Sequence, residues 1–335
     1  MQIGKIFKRL SGVFCMVVKV NDLIFKELIK RGYSLRGKTR VWNIADSKLW
    51  YLTPEQAQSY LDMLDSESYK SEFGPKEMTL IGKNVDEILE IVGEGNINLI
   101  DLGCGDGRKA VIFIDKLKDR EKVRYCPIDI SGYLVSKAIE RVSKVGIGEV
   151  LKFKWNISDF ENLENVMPLL NRRGDKKNLF LLLGNTMGNF ELHELLYQIR
   201  DSMKSGDYLL IGNGVDNGMV DEDVVAFLKG SKSFYNFFAK VPLELGLKEK
   251  DIKFDIRFQN SRIEYVFILE NDAEIFLHER KLRFDKGDQI IVGYTYHYTK
   301  EELEKYLGIY FDDVNLIMAE NGSYTLALCK VNGKK

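Results

Sequence analysis

The chain has 335 residues, of which 49 are Lys or Arg and 50 Asp or Glu, a net charge of −1. A dedicated nucleic-acid binder needs a basic excess, so that class is disfavoured and no nucleic-acid partner is expected. Hydrophobic residues make up 45% and prolines number only 5, which calls for a packed core and excludes long disorder.

The N-terminus, with Lys5–Leu10 before Val13–Val18, has the outline of a basic region and a short apolar stretch. Lys19 interrupts it early and no small-residue cleavage site follows, so a cytoplasmic protein without a signal peptide is expected. The stretch is also too short to span a bilayer, and no membrane partner is expected. Met1 and Met16 are both available as starts. Helices are predicted over Asn21–Lys30, Thr53–Leu61 and Met78–Val92, with Thr53 as cap and Pro54 in the first turn. Residues 1–92 are expected to form an N-terminal helical cap over a ligand site, with plain packing against a sheet edge as the alternative.

A short apolar strand, Ile97–Leu102, then runs into Gly103-Cys104-Gly105-Asp106-Gly107 and a helix starting at Ala110. Strand, tight glycine turn and helix make a nucleotide-binding corner, because glycines let backbone approach a ligand where a Cβ would clash. The spacing is neither the dinucleotide fingerprint nor a P-loop. Asp101 and Asp106 place acid on both sides of the glycines, which suits a ligand with a cationic end better than a pyrophosphate. S-adenosylmethionine, with an ammonium, a sulfonium and no phosphate, meets that requirement.

Strands are predicted at Val123–Ile130, Val150–Trp155, Leu179–Gly184 and Tyr208–Gly212, with helices at Tyr133–Val145 and Leu192–Met203. This alternation argues for a doubly wound parallel α/β sheet, whose ligands sit beyond the carboxyl ends of the strands. Asp129, after the second strand, is placed to accept both hydrogens of a ribose diol. Asp159 could take an adenine amino group or cap a helix, and Phe160 could cover the ring. The fourth strand leads into Gly184-Asn185-Thr186-Met187-Gly188-Asn189-Phe190, where a methyl acceptor should meet the cofactor. Asn185 and Asn189 can bind an amine or a carboxylate, and Asn189 could equally cap the helix that follows.

Alternation then stops. Val220–Leu228 and Phe234–Leu245 read as helices, and Ile252–Phe258, Arg262–Leu269, Glu274–Phe284 and Gln289–His297 as an antiparallel meander. Residues 214–298 are expected to be an inserted α+β substrate lobe. Thr299 and Glu302 form a capping box, and Val314–Ala319 with Tyr324–Val331 a closing antiparallel hairpin. The cofactor domain thus spans 93–213 and 299–335. Cys15, Cys104, Cys126 and Cys329 are scattered, and the three histidines lie far apart, so neither disulfides nor a metal site is expected.

The Asp101–Gly107 string resembles the first motif of class I methyltransferases, which implies a Rossmann-like fold and S-adenosylmethionine as cofactor. More narrowly, residues 75–300 resemble the histidine-specific Nα-methyltransferases of the ergothioneine pathway. That likeness rests on Asp101–Gly105 with Lys109, Asp129-Ile130-Ser131, Asp159-Phe160 and the string ending in Gly188-Asn189-Phe190. It implies that Gly103, Lys109, Asp129, Asp159 and Phe160 contact the cofactor, and that Gly184 and Asn189 lie at the acceptor's amino group. Asp101, Cys104, Gly105, Ile130 and Ser131 complete the candidate cofactor set. Gly293 and Thr295 fall where the family carries a glutamate and a serine that grip an imidazole. The glutamate is missing, which argues against histidine. The expected reaction is N-methylation of an amino acid or related small amine, with Asn189 orienting the nitrogen. The alternatives are a protein or RNA methyltransferase and a cofactor-binding module without activity.

Overall fold

The computed structural model describes residues 20–72, 74–118, 123–146, 149–152, 160, 163–171, 177–218, 222–277 and 280–333. In chain order come α1 (Val20–Arg31), β1 (Ser34–Arg36), β2 (Thr39–Asn43), α2 (Pro54–Asp65), α3 (Glu67–Glu72), α4 (Gly74–Val92), β3 (Ile97–Leu102), α5 (Ala110–Leu117), β4 (Val123–Ile128), α6 (Gly132–Ser143) and β5 (Glu149–Val150). Then follow α7 (Leu163–Asn171), β6 (Lys177–Leu182), α8 (Leu192–Ser202), β7 (Tyr208–Gly214), α9 (Glu222–Gly230), α10 (Lys232–Phe238) and α11 (Lys240–Glu244). The chain closes with β8 (Ile252–Gln259), β9 (Arg262–Leu269), β10 (Ala273–Leu277), β11 (Arg280–Phe284), β12 (Gln289–Tyr296), α12 (Lys300–Tyr310), β13 (Asp313–Met318) and β14 (Tyr324–Lys330).

The larger sheet has seven strands in the order β13-β14-β7-β6-β3-β4-β5. Its neighbours from β5 to β7 pair in parallel, and β14 runs antiparallel between β7 and β13. Side chains alternate between faces along a strand, and here both faces are covered. Leu99, Leu179 and Leu181 pack under α4, α5 and α6. Ile100, Phe180 and Leu182 pack under α7, α8 and α12. That double burial is why apolar residues fall on both faces of β3 and β6. Strand order reverses between β3 and β6, the place where such sheets bind ligands.

A second sheet, β1-β2-β12-β9-β8, stands beside the first. The segment before Val92, expected to be helical, therefore also supplies β1 and β2, and β2 pairs in parallel with β12. Its five residues are too few for alternation to stand out. The meander is also modified. Glu274–Phe284, read as one strand, is instead a separate hairpin of β10 and β11. The helix expected over Phe234–Leu245 breaks at Ala239 into α10 and α11. Pro242 has no N–H with which to continue it. Of the strand expected over Val150–Trp155, β5 takes in Val150, residues 151–152 carry no strand, and residues 153–159 lie outside the described residues.

Candidate active site

The amides of Gly103 and Cys104 both donate to the Ile128 carbonyl (2.8 and 3.1 Å), tying the glycine turn to the end of β4. Gly103, Gly105 and Gly107 all have left-handed backbones, with φ of 67°, 52° and 76°. A Cβ on Gly105 would meet nothing within 4 Å, so this residue faces the open cleft. One Asp129 carboxylate oxygen accepts from the Gly105 amide (3.1 Å), the other from the Ser131 amide (3.0 Å). Burial pushes the Asp129 pKa up to about 6, against the pull of those amides. Each oxygen keeps a lone pair for a ligand hydroxyl.

The two acids expected to flank the ligand have other duties. Asp101 is buried and accepts from the Tyr125 hydroxyl (2.7 Å), and burial raises its pKa to about 7. Asp106 is gripped by Arg108 and Arg141, at 2.9 and 2.7 Å. Burial opposes its charge, but the guanidiniums hold its carboxyl below the ordinary range. Neither residue lines the cleft.

The cleft wall does include Gly103, Gly105, Asp129, Ile130 and Phe160. Phe160 sits 5.2 Å from Phe190, ring centre to ring centre. An open glycine backbone, one buried acid and an apolar slot formed by Ile130, Leu134 and Phe160 fit a nucleoside. Three other candidates are not wall residues. Cys104 packs into the core, and the Ser131 hydroxyl caps α6 by accepting from the Leu134 amide. Lys109 pairs with Glu77 (2.9 Å), with its ammonium in the space a Gly184 side chain would need. Asp159 lies outside the described residues.

Tyr51, Tyr60, Thr186 and Asn189 are shared between this cleft and a second chamber of about 380 Å³. The Asn189 carbonyl accepts from the Thr295 hydroxyl (3.1 Å). Asn185 has φ 60° and its carbonyl holds the Gly214 amide, joining β7 to the end of β6. A Cβ on Gly188 would meet the Tyr296 carbonyl at 2.8 Å, so only glycine lets this turn touch β12. Gly184, Asn185 and Thr295 line the chamber, but Gly293 does not. The Trp50 ring fills the space its side chain would occupy.

Several wall residues carried no local signal. Glu77 binds the Gly184 amide (2.7 Å) as well as Lys109, yet it is one acid among several on α4. His297 lines the chamber, and its Nδ1 is buried with no hydrogen-bond partner among the described residues. Burial lowers its pKa to about 4, while Asp216 pulls the other way. Among the described residues no group of His, Cys, Asp and Glu could hold a metal, and no helix is long and apolar enough to cross a membrane.

A parallel sheet that reverses order at a glycine turn, with an acid at the next strand's end and a closing antiparallel strand, defines a class I methyltransferase architecture. Residues 66–331 match the family described as histidine-specific methyltransferase, SAM-dependent, and the chain belongs to that family. A histidine N-alpha-methyltransferase of Mycolicibacterium smegmatis (strain ATCC 700084 / mc(2)155) is 28% identical over 126 residues, covering 36% of this chain and 37% of that protein. Similar solved structures include an S-adenosylmethionine-dependent methyltransferase from Clostridium acetobutylicum ATCC 824, at 14% identity and a TM-score of 0.43, covering 82% of this chain and 99% of that one. Another is Streptomyces venezuelae DesVI, at 11% identity and a TM-score of 0.41, covering 81% and 98%.

Proposed function

We propose that the protein transfers a methyl group from S-adenosylmethionine to the nitrogen of an amino acid or related small amine. The observation that carries this reading is the meeting of the nucleoside cleft and a second chamber at Asn189. When bound, the sulfonium supplies the methyl. The N–CH₃ bond forms as the S–CH₃ bond breaks, and sulfur keeps the electron pair. The residues orient the partners, which is most of what an in-line displacement needs. Asp129 holds the ribose, Ile130 and Phe160 sandwich the base, and the backbone at Gly105 leaves room for the ligand. Asn189, steadied by Thr295, presents its amide to the incoming amine. The proton leaves to solvent through the groove lined by Asn189, Phe190 and Glu191.

A chamber of about 380 Å³ and a net charge of −1 favour a small acceptor over protein or RNA. A cytoplasmic location is part of the proposal, supported by free, buried Cys104, Cys126 and Cys329. So is a division of labour in which 93–213 with 299–335 hold the cofactor, while 214–298 and the segment before 92 enclose the acceptor. Incubation of cell extract with methyl-labelled cofactor should put label in the small-molecule fraction. Asn189→Ala should lower that transfer about 10–100-fold, the loss of one strong positioned hydrogen bond, and change cofactor affinity less. Label confined to macromolecules, or an unchanged rate in the variant, would refute the assignment.

A further inference from the structure

The chamber has one wall made of rings. Trp50 meets Phe238 edge-on (centres 5.2 Å apart, planes at 86°) and Phe237 likewise (6.0 Å, 79°). Phe238 stacks on Tyr265 at 3.9 Å. The wall is rigid, because the Trp50 indole N–H donates to the Val292 carbonyl (2.8 Å) and its ring lies over Gly293. It is also uncharged. The Tyr265 hydroxyl is within 3.4 Å of the Thr295 hydroxyl, which itself donates to Asn189. The charged lining residues, Lys76 and Glu77, are on α4, and Glu77 is committed to Lys109 and the Gly184 amide.

From this arrangement we infer that the methyl acceptor is an amino acid whose side chain is an uncharged aromatic ring, seated against Trp50, Phe237 and Phe238. The inference rests on the N-methyltransferase reading above. A neutral ring exchanges water for the preset edges and faces of four aromatic side chains. A charged side-chain end would be stripped of water against Trp50, Phe237 and Phe238 and find no opposite charge on this wall. His297 supplies the polar counterpart. Its buried Nδ1 has no partner, and an unpaired donor is costlier than an unpaired lone pair, so the ring proton belongs on Nε2. There it is available to a carboxylate. The same ring wall could attract a small ring-free cation instead, and the test separates the two.

The protein is saturated with S-adenosylhomocysteine and titrated in a calorimeter with L-phenylalanine, L-tyrosine, L-tryptophan, L-histidine, L-lysine and choline. At least one of the three neutral aromatic amino acids should bind about tenfold tighter than histidine, lysine or choline. Trp50→Ala should erase that preference and Trp50→Phe retain most of it, both with unchanged S-adenosylhomocysteine affinity. Equal or tighter binding of histidine, lysine or choline overturns the inference. So does binding by none of the aromatic acids, or an unaltered preference in Trp50→Ala. If S-adenosylhomocysteine itself fails to bind, the methyltransferase reading falls first and this inference with it.

Discussion

Asp129 joins the glycine turn to the cleft, since the carboxylate that holds the Gly105 and Ser131 amides also lines it. Its pKa of about 6 lies above the roughly 3.9 of an unfolded chain. Between those values the folded protein binds more protons than the unfolded one, so this residue lowers stability as pH rises from about 4 to 6 and imposes a constant burden above. Ribose hydroxyls favour the ionised carboxylate. Cofactor affinity should therefore fall as pH drops from 8 through about 6. Asp129→Asn should weaken binding at pH 8 by about tenfold or more and flatten that dependence. Calorimetry at pH 8 and pH 5.5 checks both, and a flat wild-type profile would count against the role. The neighbours show where single-residue reading stops. Ile130 faces the cleft, whereas Ser131 turns in to cap α6 and Cys104 enters the core. Position after a strand picks the corner, but which side chain faces the cleft is set by backbone direction within the turn.

The glycine turn was legible as an element because its three glycines serve distinct spatial needs. Gly105 faces open space, while a Cβ on Gly107 would come 3.0 Å from the Ala138 Cα on α6, at φ 76°. Gly107→Ala should thus combine left-handed strain with a packing clash, destabilising by about 2–4 kcal/mol. Gly105→Ala should cost about 1–2 kcal/mol from strain alone but lose more cofactor affinity. Urea midpoints and cofactor titrations on both variants measure the contrast, and equal effects on both readouts would remove the distinction. The N-cap at Thr53 and the capping box at Thr299 were likewise readable, and the structure adds Gln56 as the partner that completes a box at Thr53. The Glu274–Phe284 hairpin and the break at Ala239 were not. Apolar periodicity continues across both, and pairing partners decide where the chain folds back.

At the scale of the molecule, the second sheet ties the front of the chain to its middle, because β2 pairs with β12, 248 residues later in register from Val41 to Gln289. Trp50 and Tyr51 follow β2 closely and reach the chamber only because that pairing holds. Removing residues 1–45 should leave the β12 edge unpaired and open to association with other chains. The expected outcome is oligomer or aggregate on size-exclusion chromatography and weak acceptor binding. A monomer with intact binding would show the pairing to be dispensable.

The parallel α/β core, the glycine corner and Asp129 at the rim of the second strand could be read from the sequence alone, through periodicities and turns that operate within some ten residues. The chamber beside the cleft was decided only by tertiary structure. Its wall joins Asn189, which the sequence marked, to Trp50, Phe238, Tyr265 and His297 from remote segments, and these four look locally like ordinary core. No short-range pattern distinguishes an aromatic residue buried against another side chain from one buried against a cavity.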